Sequence, residues 1–110
     1  MNIRDLQNSA REAATLMKAL SSENRLLLLC QLAEGEKTVG ELADSLGLRQ
    51  AAVSQQLALL RKDGLVAARR NGRAMHYSLS GREARALIML LHRLYCEPAM
   101  ETTKSDLRGA

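Results

Sequence analysis

Between Thr38 and Gly64 the sequence sets two helical signals back to back with one glycine between them. Thr38 and Glu41 stand three apart ahead of Leu42 and Leu46, the spacing of a capping box. Gly47 follows as a natural left-handed helix end, and Val53, Leu57 and Leu60 then reopen the helical period until about Gly64. Two helices of about three turns, joined by a short turn containing Gly, match the helix-turn-helix pattern. Such a unit must be buried against something. With two Tyr and no Phe or Trp among 110 residues, and 21 Leu, the chain can supply only an aliphatic, helix-favouring core.

The flanking segments supply the rest of that core. Leu6, Ala10, Ala13, Met17 and Leu20 form one stripe of an amphipathic helix over residues 3–20. A second helix starts after Ser21 or Ser22. Its four consecutive leucines, Leu26 to Leu29, place apolar groups on more than one side, as expected of a central helix. After Gly64 the period changes. Runs 65–70 and 73–79 flank Asn71-Gly72, a pair that suits the type I′ hairpin turn because both central residues need positive φ. Ser80 and Glu83 have capping-box spacing ahead of Leu87, Leu90, Leu91 and Leu94, and Pro98 is expected to stop that last helix. The order ααααββα is a winged helix-turn-helix, mainly α within the α+β class. One domain over residues 1–97 is expected, with a flexible tail over 98–110.

Charge is unevenly placed. The formal balance is +4, yet residues 49–85 hold eight basic side chains against Asp63 and Glu83, a local +6. That is the footprint of a polyanion partner, and equally of a solvated charged face. The outer side of the second helix of the pair carries Ala51, Ser54, Gln55 and Lys62, with Arg49 and Gln50 at its start. Gln can bond adenine, Ser can bond a base or a phosphate, and Ala can meet a thymine methyl in a major groove. Arg69, Arg70 and Arg73 near the hairpin tip suit backbone phosphates or a minor groove. The ordered set points to double-stranded DNA. An exposed face used for protein contacts is the bland alternative.

Several classes are excluded or disfavoured. No apolar run approaches the ~20 residues of a membrane span. Asp5 and Glu12 break any signal-peptide pattern, and two cysteines are too few for a secreted disulfide scaffold. A cytoplasmic protein is expected. There is no C-x-x-C and no catalytic His/Asp constellation, so an enzyme is not expected, nor is a cofactor. Cys30 and Cys96 remain to be explained. Buried as small hydrophobes they would need no function. His92 and Cys96 lie four apart on one helical face, but with His76 and Cys30 they show no metal-ligand spacing.

The segments LSSENRLLLLCQLAEGEKTVGELADSLGL, RQAAVSQQLALLRKDGLV and ARRNGRAMHYSLS together resemble the ArsR/SmtB family of bacterial winged-helix repressors. The resemblance implies a homodimer through the first and last helices, an imperfect palindromic operator, and an inducer that weakens DNA binding. Many relatives carry His where this chain has Gln56. Metal-sensing relatives carry thiolates before the turn or an Asp-x-His pair early in the last helix. Here those stretches read TVGELADSL and SGREAR, so no metal site is expected. The better resemblance is to the dithiol branch, with one Cys in the second helix and one near the end of the last. It implies that reactive sulfur species link Cys30 and Cys96 within one protomer and release the DNA. The metal-responsive, anti-repressor and thiol-enzyme readings stand as alternatives.

Overall fold

The computed structural model describes residues 2–98. Helix α1 (Ile3–Leu20) is capped by the Asn2 side chain, which accepts from the Asp5 amide. Helix α2 (Glu23–Ala33) begins at Ser22, whose hydroxyl accepts from the Arg25 amide. Strand β1 (Lys37–Thr38) leads directly into α3 (Val39–Leu46), and α4 (Gln50–Lys62) follows after three residues. Strands β2 (Val66–Asn71) and β3 (Ala74–Leu79) form the wing, and α5 (Arg82–Leu91) runs into a π-helical turn at His92–Cys96. The winged helix-turn-helix order expected from the sequence is therefore present. Residues 99–110, most of the expected tail, lie outside the described residues.

The local signals explain most boundaries. Thr38 Oγ1 accepts from the Glu41 amide at 3.2 Å, and Glu41 Oε1 accepts from the Thr38 amide at 3.0 Å. That reciprocal pair is the capping box expected there. Gly47 ends α3 at φ 65°, and its N–H and that of Leu48 both return to the Ala43 carbonyl. Thr38 has a second task. It also pairs with His76, so β1 adds a third, antiparallel strand beside β3, in the order β1-β3-β2. A two-residue strand carries no periodicity, which is why pattern reading passes over it.

Three details differ from the sequence reading. The hairpin turn is displaced by one residue: Asn71 pairs with Ala74, leaving Gly72-Arg73 as the loop. Only Gly72 has positive φ there, at 66°. Glycine at the first central position is the type II′ requirement, not the type I′ expected from Asn71. The Ser80–Glu83 capping box does not form, because Gly81 is the N-cap of α5 and supplies no side-chain bond. Finally, the last helix changes winding before Pro98. The Glu97 N–H reaches the His92 carbonyl, a five-residue step that shifts the following residues off the α5 wheel.

The core is aliphatic throughout. Leu28 and Leu29 of α2, Leu42 of α3, and Val53, Leu57 and Leu60 of α4 are its fully enclosed side chains. Each such burial contributes roughly 1.5–3 kcal/mol relative to exposure. Arg25 fastens the corner: it donates to the Ala19 carbonyl at 2.9 Å and lies 3.8 Å from Asp63 at the end of α4. The α1 stripe behaves differently. Leu20 is buried, but Leu6 and Met17 are 52% and 59% exposed. Most of α1 therefore projects its apolar face away from its own core.

Gly47 tests the turn between α3 and α4. A Cβ there would meet nothing within 4 Å, so substitution costs backbone conformation alone. Gly47→Ala is expected to lose about 1–2 kcal/mol, and Gly47→Asn less, since Asn tolerates the left-handed region. Thermal melts at matched protein concentration check this order; equal stability for all three would contradict it.

Candidate nucleic-acid interface and dithiol site

Burial of Val53, Leu57 and Leu60 fixes the rotation of α4 about its axis. The opposite side is thereby turned outward: Gln50, Ala51, Ser54, Gln55 and Lys62 are all exposed, as is Arg49 just before them. Arg49 is the N-cap, makes no side-chain cap bond, and no acid stands in the first turn. The first amides of α4 thus keep their hydrogen-bonding capacity and positive dipole end for an external anion. The wing continues this surface. Arg70 lies opposite Met75 on the hairpin, and Arg73 sits in its turn; both are exposed.

Arg69 differs from its neighbours. Its guanidinium grips the Glu36 carboxylate with two bonds, Nε to Oε2 at 2.8 Å and the terminal nitrogen to Oε1. His76, directly across the hairpin from Arg69, places Nδ1 3.6 Å from the same carboxylate. The Arg69 bond holds the Glu36 carboxyl below its ordinary value and raises the guanidinium in turn. Arg69 is exposed and basic as expected, but it already has an anion. Glu36 is 33 positions away, beyond the reach of any local motif.

At the other side of α2, Cys30 faces the π-helical turn that ends in Cys96. The two are joined by a disulfide, with Cα atoms 6.8 Å apart across 66 positions of sequence. Both are half-buried. Leu26, Cys30, Ile88, Leu91, His92, Tyr95 and Cys96 enclose an apolar cavity of about 290 Å³ beside the bond. His92, not Arg93, is the basic side chain in that wall. It is 9% exposed, with Nδ1 3.7 Å from Glu97 and Nε2 3.9 Å from Glu34. Both distances are too long for a hydrogen bond, and Nε2 has no partner. The sequence places His92 and Cys96 on one α-helical face; the π turn instead wraps both against the cavity.

Apolar surface also remains outside the core on the two terminal helices. Ile3, Leu6 and Met17 are exposed on α1, and Met89, Leu90 and Leu94 on α5 and its continuation. Among the described residues, no group of three or more His, Cys, Asp or Glu could hold a metal ion. No described helix is long and apolar enough to cross a membrane.

Comparison with known proteins bears on this geometry. Residues 22–68 match the family model described as bacterial regulatory protein, arsR family. The chain is also 46% identical over 97 residues to the transcriptional activator HlyU of Vibrio cholerae, covering 88% of this chain and 90% of that one. The chain belongs to the arsR family. It is a transcriptional regulator of that family, and its fold agrees with solved members. Reduced HlyU from Vibrio cholerae superposes with a TM-score of 0.79, covering 86% of this chain and 99% of that one. The repressor BigR from Xylella fastidiosa gives 0.83 at 40% identity, covering 88% and 96%. A homodimeric winged helix-turn-helix DNA-binding domain from Mycobacterium bovis gives 0.69 at 30% identity, covering 92% and 93%.

The Glu36–Arg69 pair makes a pH prediction. Because the folded carboxyl titrates below its ordinary value of 4.5, the pair stabilises the fold at neutral pH. That contribution is lost as pH falls through the lowered value. Glu36→Gln is therefore expected to melt below wild type at neutral pH and to converge with it in acid. Parallel melting curves at every pH would show that the pair contributes nothing.

Proposed function

We propose that the protein is a homodimeric repressor of transcription that binds an imperfect palindromic operator and is released by oxidation of Cys30 and Cys96. The exposed face of α4 enters the major groove, with Gln50, Ala51, Ser54 and Gln55 reading base edges. Arg49, Lys62, Arg70 and Arg73 contact the backbone, and Arg69 joins them by exchanging Glu36 for a phosphate. The apolar faces of α1 and α5 pair with those of a second copy, which sets the two recognition helices on successive turns of the duplex. The Mycobacterium bovis relative, a homodimeric DNA-binding domain, supports this assembly.

The observation that carries the switch is the pairing of Cys30 with Cys96, which ties α2 to the end of the last helix. Reactive sulfur species, acting in the bacterial cytoplasm, are the proposed inducer. Their Cα separation of 6.8 Å lies at the upper end of the span of a plain disulfide, so a bridge with inserted sulfur suits the same positions. The reduced pair leaves α2 and α5 free to adopt the DNA-competent arrangement; the bridge favours another. The core then links the sensor to the reading head, because Leu28 and Leu29 of α2 belong to one buried cluster with Val53, Leu57 and Leu60 of α4.

A second reading is favoured by one relative's designation as an activator. The protein would then raise transcription by displacing another DNA-binding protein. Footprinting on the same promoter with and without that competitor separates the two.

Two outcomes are expected. Arg70→Ala should weaken DNA binding on all sequences alike and reduce the slope of log affinity against log salt by about 1; an unchanged slope removes Arg70 from the interface. Cys30→Ser should bind DNA as wild type but lose release by a persulfide donor. Release that persists in this variant overturns the dithiol mechanism.

A further inference from the structure

One charged cluster at the base of the wing is not explained by the charge of the wing alone. Strand β3 is the middle strand of the sheet, and its His76 stands opposite Thr38 of β1 on one side and Arg69 of β2 on the other. Arg69 reaches across β3 to grip both carboxylate oxygens of Glu36, the residue just before β1. His76 Nδ1 lies beside the pair, 3.6 Å from Oε1. Lys37, next in the chain, lies 4.0 Å from Glu34 instead, so Arg69 is the cation that answers Glu36. The Arg69 side chain is 57% exposed and that of Glu36 30%, which leaves the guanidinium open to an external anion.

We propose, resting on the DNA-binding reading above, that Glu36 is an intramolecular stand-in for a DNA phosphate, which occupies Arg69 in the free protein and lowers the affinity for duplex DNA of any sequence. A carboxylate offers a guanidinium fork two oxygens, as a phosphate does, and Arg69 can serve only one of them at a time. On binding, its two bonds to Glu36 break and bonds to phosphate oxygens replace them. The net gain from Arg69 is then the difference between two like contacts. Among the described residues, Arg70 and Arg73 make no ion pair and give up none. The Arg69 bond also holds the Glu36 carboxyl below its ordinary value, so the competitor is fully charged at neutral pH.

A clasp that only shapes the wing has the same geometry in the free protein. Thr38 caps α3 and pairs in β1, so the bond between Arg69 and Glu36 also fastens β2 to the start of α3. The two roles differ in sign once DNA is present. A purely structural clasp keeps the wing in place for the duplex, and losing it weakens the fold and the binding together. A competitor stabilises the free protein alone, and losing it weakens the fold but tightens the binding. Because phosphates carry no base identity, that tightening is the same on every duplex.

The test uses the full reduced chain at one low salt concentration, with two duplexes of unrelated sequence, each about 30 base pairs and so long enough for both halves of a dimer. Glu36→Gln is expected to bind both duplexes about two- to fivefold tighter than wild type, the range of an exposed ion pair, while melting at a lower temperature. Unchanged or weaker binding by this variant overturns the proposal, as does a gain on one duplex only. Arg69→Ala separates competition from simple removal of a negative charge. In that background Glu36→Gln is expected to gain less than it does beside Arg69; an equal gain overturns the competition. A second measurement needs no variant. The Nε–H signal of Arg69 is followed by NMR as duplex is added to the wild-type chain, and it is expected to move in step with binding. A signal unmoved at saturation shows that Arg69 keeps Glu36 in the complex and overturns the exchange. Wild type that binds no duplex overturns the DNA-binding reading and this proposal with it, whereas wild type that binds while Glu36→Gln gains nothing overturns this proposal alone.

Discussion

Helix α2 cannot turn all four of its consecutive leucines toward one core, and the function argued above depends on how that conflict is resolved. Leu28 and Leu29 are enclosed and, with Leu32, join the cluster that holds α3 and α4. Leu26 and Leu27 are left partly exposed on the other side, next to Cys30. One element therefore carries the support of α3 and α4 on one face and the cysteine of the proposed switch on the other. Because the core is close-packed and aliphatic, the proposed switch requires α2 to shift as a body. In the proposed switch, the leucines that hold the fold together are also what couples the dithiol to the DNA surface.

The DNA surface is shaped by what is missing as much as by what is present. No side chain caps the start of α4 and no acid stands in its first turn, so its first amides are left without a side-chain partner, as the proposed phosphate contact requires. The wing supplies charge, but not uniformly. Glu36 occupies Arg69 with two hydrogen bonds, and His76 approaches the same carboxylate. In the proposed complex, Arg69 would have to give up that pair, so its net contribution would be smaller than that of Arg70 or Arg73.

Much of this was legible before any coordinates. The Thr38–Glu41 box and Gly47 are local chemistry, complete within a few residues, and they appear as read. The exposed face of α4 follows from Val53, Leu57 and Leu60 by helical period alone. The misses have other causes. Asn71-Gly72 specified a hairpin, yet strand register placed Gly72 one position earlier in the turn than the pair suggests. Ser80 lost the N-cap to Gly81. Strand β1 exists only because β3 is there to pair with it. The Glu36–Arg69 bond joins positions 33 apart. The π turn at His92–Cys96 is invisible to a pattern that assumes one period throughout, and with it the cavity beside Cys96. Strand β1, the Glu36–Arg69 bond and the cavity depend on partners distant in the chain, whereas the turn, the Gly81 cap and the π step lie between near neighbours.

The central claim is that the Cys30–Cys96 bridge and operator binding oppose one another. The most direct test measures the affinity of one operator duplex for fully reduced and fully bridged protein, at the same salt and protein concentration. The account predicts that bridging weakens binding by about tenfold or more, within the range typical of coupled sites. Equal affinity of the two forms would contradict it.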